Sequence, residues 1–212
     1  MIEFKIFLYI IIIFSAIFHE FFHAWMANVL GDPTAKYAGR LTLNPLKHMD
    51  MLGTVIIPLF LLFFVGGFIG WAKPVPFDPY AVTRKHPAGV MMVAAAGPLS
   101  NLILAIVASI PFQTGLFDNV VAGGGALFYM QSFLITFIYL NLVLLFFNLI
   151  PVSPLDGEKV LTYFLPPSGQ ATMARIRPYG PMLLMLLLFA GRGFFSTLIL
   201  GPVNRILELL VF

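Results

Sequence analysis

Apolar residues run almost unbroken through three stretches of the chain, 4–30, 90–111 and 127–150. Each is long enough to cross a hydrocarbon core, which takes about 20 residues. Two further apolar stretches are less regular. Segment 51–70, "MLGTVIIPLFLLFFVGGFIG", is interrupted by Gly53, Pro58, Gly66, Gly67 and Gly70. Segment 182–200 is interrupted by "GRG" around Arg192. Polar residues collect between these runs. "GDP" at 31–33 ends the first helix, and a polar stretch with Lys36, Arg40, Lys47 and His48 follows. "WAKPVPFDPYAVTRKHPAG" carries prolines at 74, 76, 79 and 87 and reads as extended, because proline obstructs helix. "PVSPLDGEK" at 151–159 breaks the fourth run, a short amphipathic piece reaches residue 165, and "PPSGQATMARIRP" reads as a polar linker. The pattern predicts an all-α, polytopic membrane bundle with a re-entrant or broken segment and a short extended, membrane-associated loop. It reads as a single domain over 1–212, with a core at about 4–165 and C-terminal membrane helices at about 178–212.

Composition supports this picture. Sixty per cent of the 212 residues are hydrophobic and 10% are charged, against roughly 25% charged in soluble domains. The first 30 residues are too long and apolar for a cleaved signal peptide and read as a retained span. There is no cysteine, which excludes disulfides, a thiol nucleophile and thiolate ligands. The net charge of +3 is spread over loops, with no basic stripe that suits nucleic acid.

The first span contains "FSAIFHEFFHAW", with His19, Glu20 and His23 among oily neighbours. A lone histidine in a span most often hydrogen-bonds to a neighbouring helix. Two histidines four apart share one helix face, so both rings reach one point, with the intervening carboxylate beside it. This is the HExxH pattern, in which two imidazoles hold zinc and the carboxylate activates the attacking water. Ionisable groups inside a span are costly, which favours a functional reading. A catalytic zinc takes three protein ligands and leaves one position open. The other histidines, His48 and His86, lie in basic, loop-like contexts. Among the acids Asp156 stands out, because it follows a span directly after a proline-broken stretch. From spacing alone it is equally a third ligand or an N-cap for the helix that follows.

Together, "HEFFH" in the first span, "GPLSN" at 97–101 and "PLDG" at 154–157 resemble the site-2 protease family of intramembrane zinc metalloproteases. "LNPLKHMD" and "GWAKPVPFD" resemble its compact prokaryotic branch, which lacks a PDZ domain. The resemblance covers about 4–165. It implies one catalytic Zn2+ held by His19, His23 and Asp156, with Glu20 as general base. It also implies that Asn101 lies near the substrate backbone or the oxyanion. Asn44, Asn141 and Asn148 are further candidates to line a wet cavity, although helix-to-helix hydrogen bonding explains them as well. The implied partners are a transmembrane protein substrate and the lipid bilayer. Two rival readings are a prenyl-protein protease, whose third ligand is expected to be a distal glutamate, and a metal transporter, which has no role for Glu20.

Depth constrains the topology. His19 lies about 15 residues into its helix, roughly 22 Å along it, and Asp156 follows the body of its span. For the two to meet, their spans must run in the same direction, so an odd number of crossings separates them. Segment 90–111 supplies one, so 51–70 is expected not to cross fully. Non-helical backbone at that depth is tolerable only when buried in protein or lining a wet cavity. Segments 32–50 and 71–88 carry Lys36, Arg40, Lys47, Lys73, Arg84 and Lys85, whereas 112–126 carries no basic residue and has Asp118. Positive-inside reasoning puts the first two segments in the cytoplasm of a cell-membrane protein, with the site opening there. Lys5 argues weakly the other way.

Overall fold

A computed structural model of the chain describes residues 2–60, 73–120, 125–190, 193 and 196–212. All regular structure among them is helical. In order these helices are α1 (Ile2–Val29), α2 (Thr34–Tyr37), α3 (Pro45–His48), a π-helical turn (Met51–Ile56) running into α4 (Ile57–Phe60), and α5 (Pro79–Lys85). Then come α6 (Gly89–Gln113), α7 (Gly125–Asn148), α8 (Asp156–Phe164), α9 (Pro167–Ile176) and a 3-10 turn (Arg177–Tyr179). The chain ends with α10 (Gly180–Ala190), a π-helical turn (Ser196–Leu200) and α11 (Gly201–Val211). Three helices are long and apolar enough to cross a membrane: Lys5–Val29, Gly89–Gln113 and Gly125–Asn148. The chain is a multi-pass membrane protein.

Two compact units divide it, Met1–Gly97 and Pro98–Phe212. In the first, α1 sorts its residues by face. Ile11, Ser15, His19, His23 and Ala27 are buried at intervals of four, while Ile10, Phe14, Trp25 and Val29 are exposed. Residues four apart stack on one side of a helix, so one face suits lipid and the other carries the histidines. Near the end of α1, Ala27 and Leu30 pack with Val82 and Val93 in a small core that Phe77 also touches. In the second unit the core joins Ala105 of α6, Ile138, Leu142 and Leu145 of α7, Ile150 and Leu155 of the broken loop, and Ile199 and Val203 near the C-terminus.

The ends of α1 and α5 show how local sequence sets these elements. Gly31 adopts a left-handed φ of +87°. Its N–H reaches the Asn28 carbonyl, and the Asp32 N–H reaches the Ala27 carbonyl at 2.9 Å, a Schellman arrangement that stops the helix. The expectation of extended structure over the whole 71–89 stretch is corrected at 79–85, which is helical. Pro79 sits in the first turn and the Asp78 side chain caps it by accepting from the Tyr80 N–H. Proline is tolerated there because that N–H has no intrahelical partner anyway. Residues 73–78 form no regular secondary structure, and there is no strand among the described residues. "PPSGQATMARIRP" is likewise not a linker: Pro167 opens α9 in the same way. Segment 51–60 is helical, and the re-entrant course expected of 51–70 falls mostly on residues outside those described. The expected "GRG" interruption also lies largely outside them.

Candidate metal centre

Within the first unit, His19 and His23 are both buried on α1. Their Nε2 atoms lie 3.0 Å apart. Two nitrogens on one tetrahedral zinc, each at about 2.05 Å, sit about 3.3 Å apart, so the pair is set almost at ligand spacing. The His23 Nδ1 lies 2.7 Å from the Val93 carbonyl oxygen of α6. A backbone acceptor there fixes the ring, keeps the proton on Nδ1 and leaves the Nε2 lone pair for a metal.

Gly97 makes the space in front of these nitrogens. A Cβ on Gly97 would stand 2.4 Å from the His23 Nε2 and 2.6 Å from the His19 Nε2. Any side chain at this position would collide with both imidazoles. The donor chemistry and this cradle fit a zinc ion. "GPLSN" therefore bears on the site through its first residue, which spacing had not identified, because only packing brings residue 97 to residues 19 and 23.

Glu20 projects beside the pair and is half-buried. Its Oε2 accepts a hydrogen bond from the Val75 N–H at 3.2 Å. The carboxylate is thus held from segment 73–78, the proline-rich stretch.

In the second unit, Asp156 is buried at the first position of α8. The N-cap position belongs to Leu155, with no side-chain cap, which corrects the N-cap reading of Asp156. A carboxylate in the first turn is favoured by the helix dipole, and the Lys159 ammonium lies 3.6 Å from it. A Cβ on Gly157 would lie 2.2 Å from the Leu149 carbonyl oxygen, so only glycine lets α8 start so close to the end of α7. Within the first unit, the His19 and His23 Nε2 atoms can supply two ligands to one metal ion.

The asparagines have identifiable partners. Asn101 is fully buried and its amide donates to the Asn141 Oδ1 at 2.9 Å, while the Asn141 amide donates to the Phe137 carbonyl. The Asn148 amide donates to the Leu144 carbonyl of its own helix. Asn44 is exposed and caps α3, accepting from the Leu46 N–H at 3.0 Å. His48 is not in an open loop context: it is 1% exposed, with Nε2 2.7 Å from the Thr42 carbonyl oxygen. The distal glutamates do not behave as ligands. Glu158 is buried against the Arg177 guanidinium at 2.8 Å, and Glu208 is exposed on α11.

Comparison with known proteins agrees with this chemistry. The family model described as Peptidase family M50 matches residues 7–123 and 115–191. The chain is 38% identical over 201 residues to the candidate zinc metalloprotease YwhC of Bacillus subtilis, covering 88% of this chain and 82% of that protein. It is 30% identical over 186 residues to the candidate zinc metalloprotease Rip2 of Mycolicibacterium smegmatis, covering 86% and 67%. Rip2 of Mycobacterium tuberculosis is 31% identical over 181 residues, covering 83% and 64%. No solved structure matches the chain.

Proposed function

Since the chain belongs to peptidase family M50, the site-2 protease family of zinc metalloproteases, we propose that it hydrolyses peptide bonds within or near transmembrane segments of membrane-protein substrates. The observation that carries this reading is the buried pair of imidazole nitrogens 3.0 Å apart, facing the space left by Gly97, with a carboxylate on the adjacent residue. These groups sit on a helix apolar enough to span, so the bond they act on is also at membrane depth.

In this reading His19, His23 and Asp156 hold the ion. Zinc, when bound, supplies Lewis acidity to the scissile carbonyl and to the attacking water. Val93 keeps the His23 ring oriented through its carbonyl. Glu20 takes the proton from water at its carboxylate and returns it to the leaving amine. The Val75 N–H fixes the direction from which that carboxylate works. A substrate helix hides its amides in i→i−4 hydrogen bonds and must unwind before attack, so a segment that offers it alternative pairing is useful. Asn101, Asn44 and Asn148 are the asparagines that the family resemblance and polarity offer for substrate binding, and of these Asn101, fully buried on Asn141, bears on the substrate only if that pair opens.

The same reading places the chain in the cell membrane, with the site opening to the cytoplasm and 51–70 returning to the side it left. Support for that return is the hydrogen bond from the Lys73 N–H to the His48 carbonyl at 3.0 Å, which closes the two ends of the segment on each other. The prenyl-protein protease reading is disfavoured, because Glu158 is committed to Arg177 and Glu208 is exposed.

The test is incubation of purified, zinc-loaded protein in lipid vesicles with a model single-span substrate, followed by mass spectrometry of the fragments. Cleavage inside or at the edge of the apolar segment is expected and should stop when the metal is chelated. Cuts confined to the soluble tails, or persisting after chelation, contradict the proposal.

A further inference from the structure

Segment 73–78 is tied down at three points, all through backbone N–H groups. Lys73 donates to the His48 carbonyl at 3.0 Å, Val75 to the Glu20 Oε2 at 3.2 Å, and Asp78 to the Asp32 Oδ2 at 2.6 Å. Pro74 and Pro76 have no N–H to give, and they disfavour helical backbone at Lys73 and Val75. Burial alternates accordingly. Val75 and Phe77 are half-buried, whereas Pro74 and Pro76 are exposed. Between the two prolines, Val75 carries the one donor available, and that donor is aimed at Glu20.

The anchor at the far end is unusual. Asp32 is a carboxylate only 1% exposed. Besides Asp78 it accepts from the Thr34 N–H at 3.0 Å and the Thr34 hydroxyl at 2.5 Å. Its place is fixed by the Schellman turn at Gly31, which ends the same helix that carries His19, Glu20 and His23. A rigid end of α1 therefore holds the strap that holds the side chain on α1.

We propose that Asp32 is a positioning residue for Glu20: by clamping 73–78 it keeps the Val75 N–H on the Glu20 carboxylate and sets the orientation from which that group exchanges protons. This rests on the reading of Glu20 as general base. Asp32 touches neither substrate nor metal; it acts through three residues of backbone.

The chain has no native cysteine, so a single Phe77→Cys serves as a clean reporter of the strap. Its maleimide labelling is measured with and without Asp32→Ala, in the zinc-loaded full chain in detergent. On the native-cysteine-free background, zinc content and cleavage of a model transmembrane substrate are measured for Asp32→Ala, Asp32→Asn, Val75→Pro, which deletes the N–H, and Val75→Ala, which keeps it. Zinc content is expected to match the parent in all four. Cleavage is expected to fall on the order of tenfold or more in Asp32→Ala and Val75→Pro, as when an orienting partner is lost. The fall should lie in kcat, and be smaller in Asp32→Asn than in Asp32→Ala and smaller in Val75→Ala than in Val75→Pro. Labelling at residue 77 should accelerate with Asp32→Ala. Equal cleavage by Val75→Pro and Val75→Ala overturns the proposal, and so does unchanged labelling with Asp32→Ala. The labelling arm needs no protease activity, so a parent chain that cleaves nothing refutes the protease reading while the clamp is still tested.

Discussion

At the scale of single residues the site is built from small exclusions as much as from ligands. His19, Glu20 and His23 were legible in the sequence because a spacing of four defines one helix face and needs no tertiary information. Gly97, Val93 and Asp32 were not, since each acts only through packing that brings distant positions together. Gly97→Ala is the sharpest consequence: a methyl 2.4 Å from the His23 Nε2 and 2.6 Å from the His19 Nε2 would crowd both of the nitrogens that would hold the metal. Zinc content of the purified variant should fall to background by elemental analysis, although the helix gains a better helix former. Asp32 makes a separate prediction about pH. Burial alone raises its carboxyl, but hydrogen bonds from the Thr34 hydroxyl and the Asp78 and Thr34 N–H groups outweigh this and hold it below its ordinary 3.8. A depressed folded value stabilises the protein above the unfolded value, and the stabilisation fades as pH drops through the lower folded one. The melting-temperature gap between the parent and Asp32→Asn should therefore be full at neutral pH and narrow below about pH 3.8.

Among elements, the long apolar helices were plain from hydropathy, to within a few residues at each end. The short ones differ from the expectation for two reasons. Pro79 reads as an obstacle to helix, and 166–178 reads as a linker because it is polar, yet Pro79 and Pro167 each stand in the first turn, where proline is compatible with helix and the preceding residue supplies the extended backbone. Proline's meaning depends on position, and a single sequence marks that position only by a capping residue such as Asp78. Asp156 illustrates the opposite difficulty. Its residue type suited a cap, but the helix starts one residue earlier than the cap reading requires, which turns the carboxylate into a first-turn group. The close start of α8 on α7 rests on Gly157. Gly157→Ala should destabilise the protein by about 1–3 kcal/mol through overpacking. It should also weaken zinc retention, read by competition with a chelator.

For the whole molecule the open question is how the chain threads the bilayer. Positive-inside charge, and the requirement that the ligand-bearing spans run in the same direction if their ligands are to meet, give the expectation of an odd number of crossings between them. With no native cysteine to remove, substituted-cysteine accessibility is direct: positions in 45–50 and 73–78 should label from the same, cytoplasmic, face. Labelling from opposite faces contradicts the re-entrant reading. The central claim is that a zinc ion held on α1 works with Glu20 to hydrolyse a peptide bond. Its most direct test is zinc content and cleavage of a model transmembrane substrate, measured on the same preparations of the parent chain and Glu20→Gln. Near one zinc per chain in both is expected, with cleavage reduced 10²–10⁴-fold or more in the variant, on the order of a general base's contribution. Undiminished cleavage by Glu20→Gln, or cleavage by preparations without zinc, would contradict it.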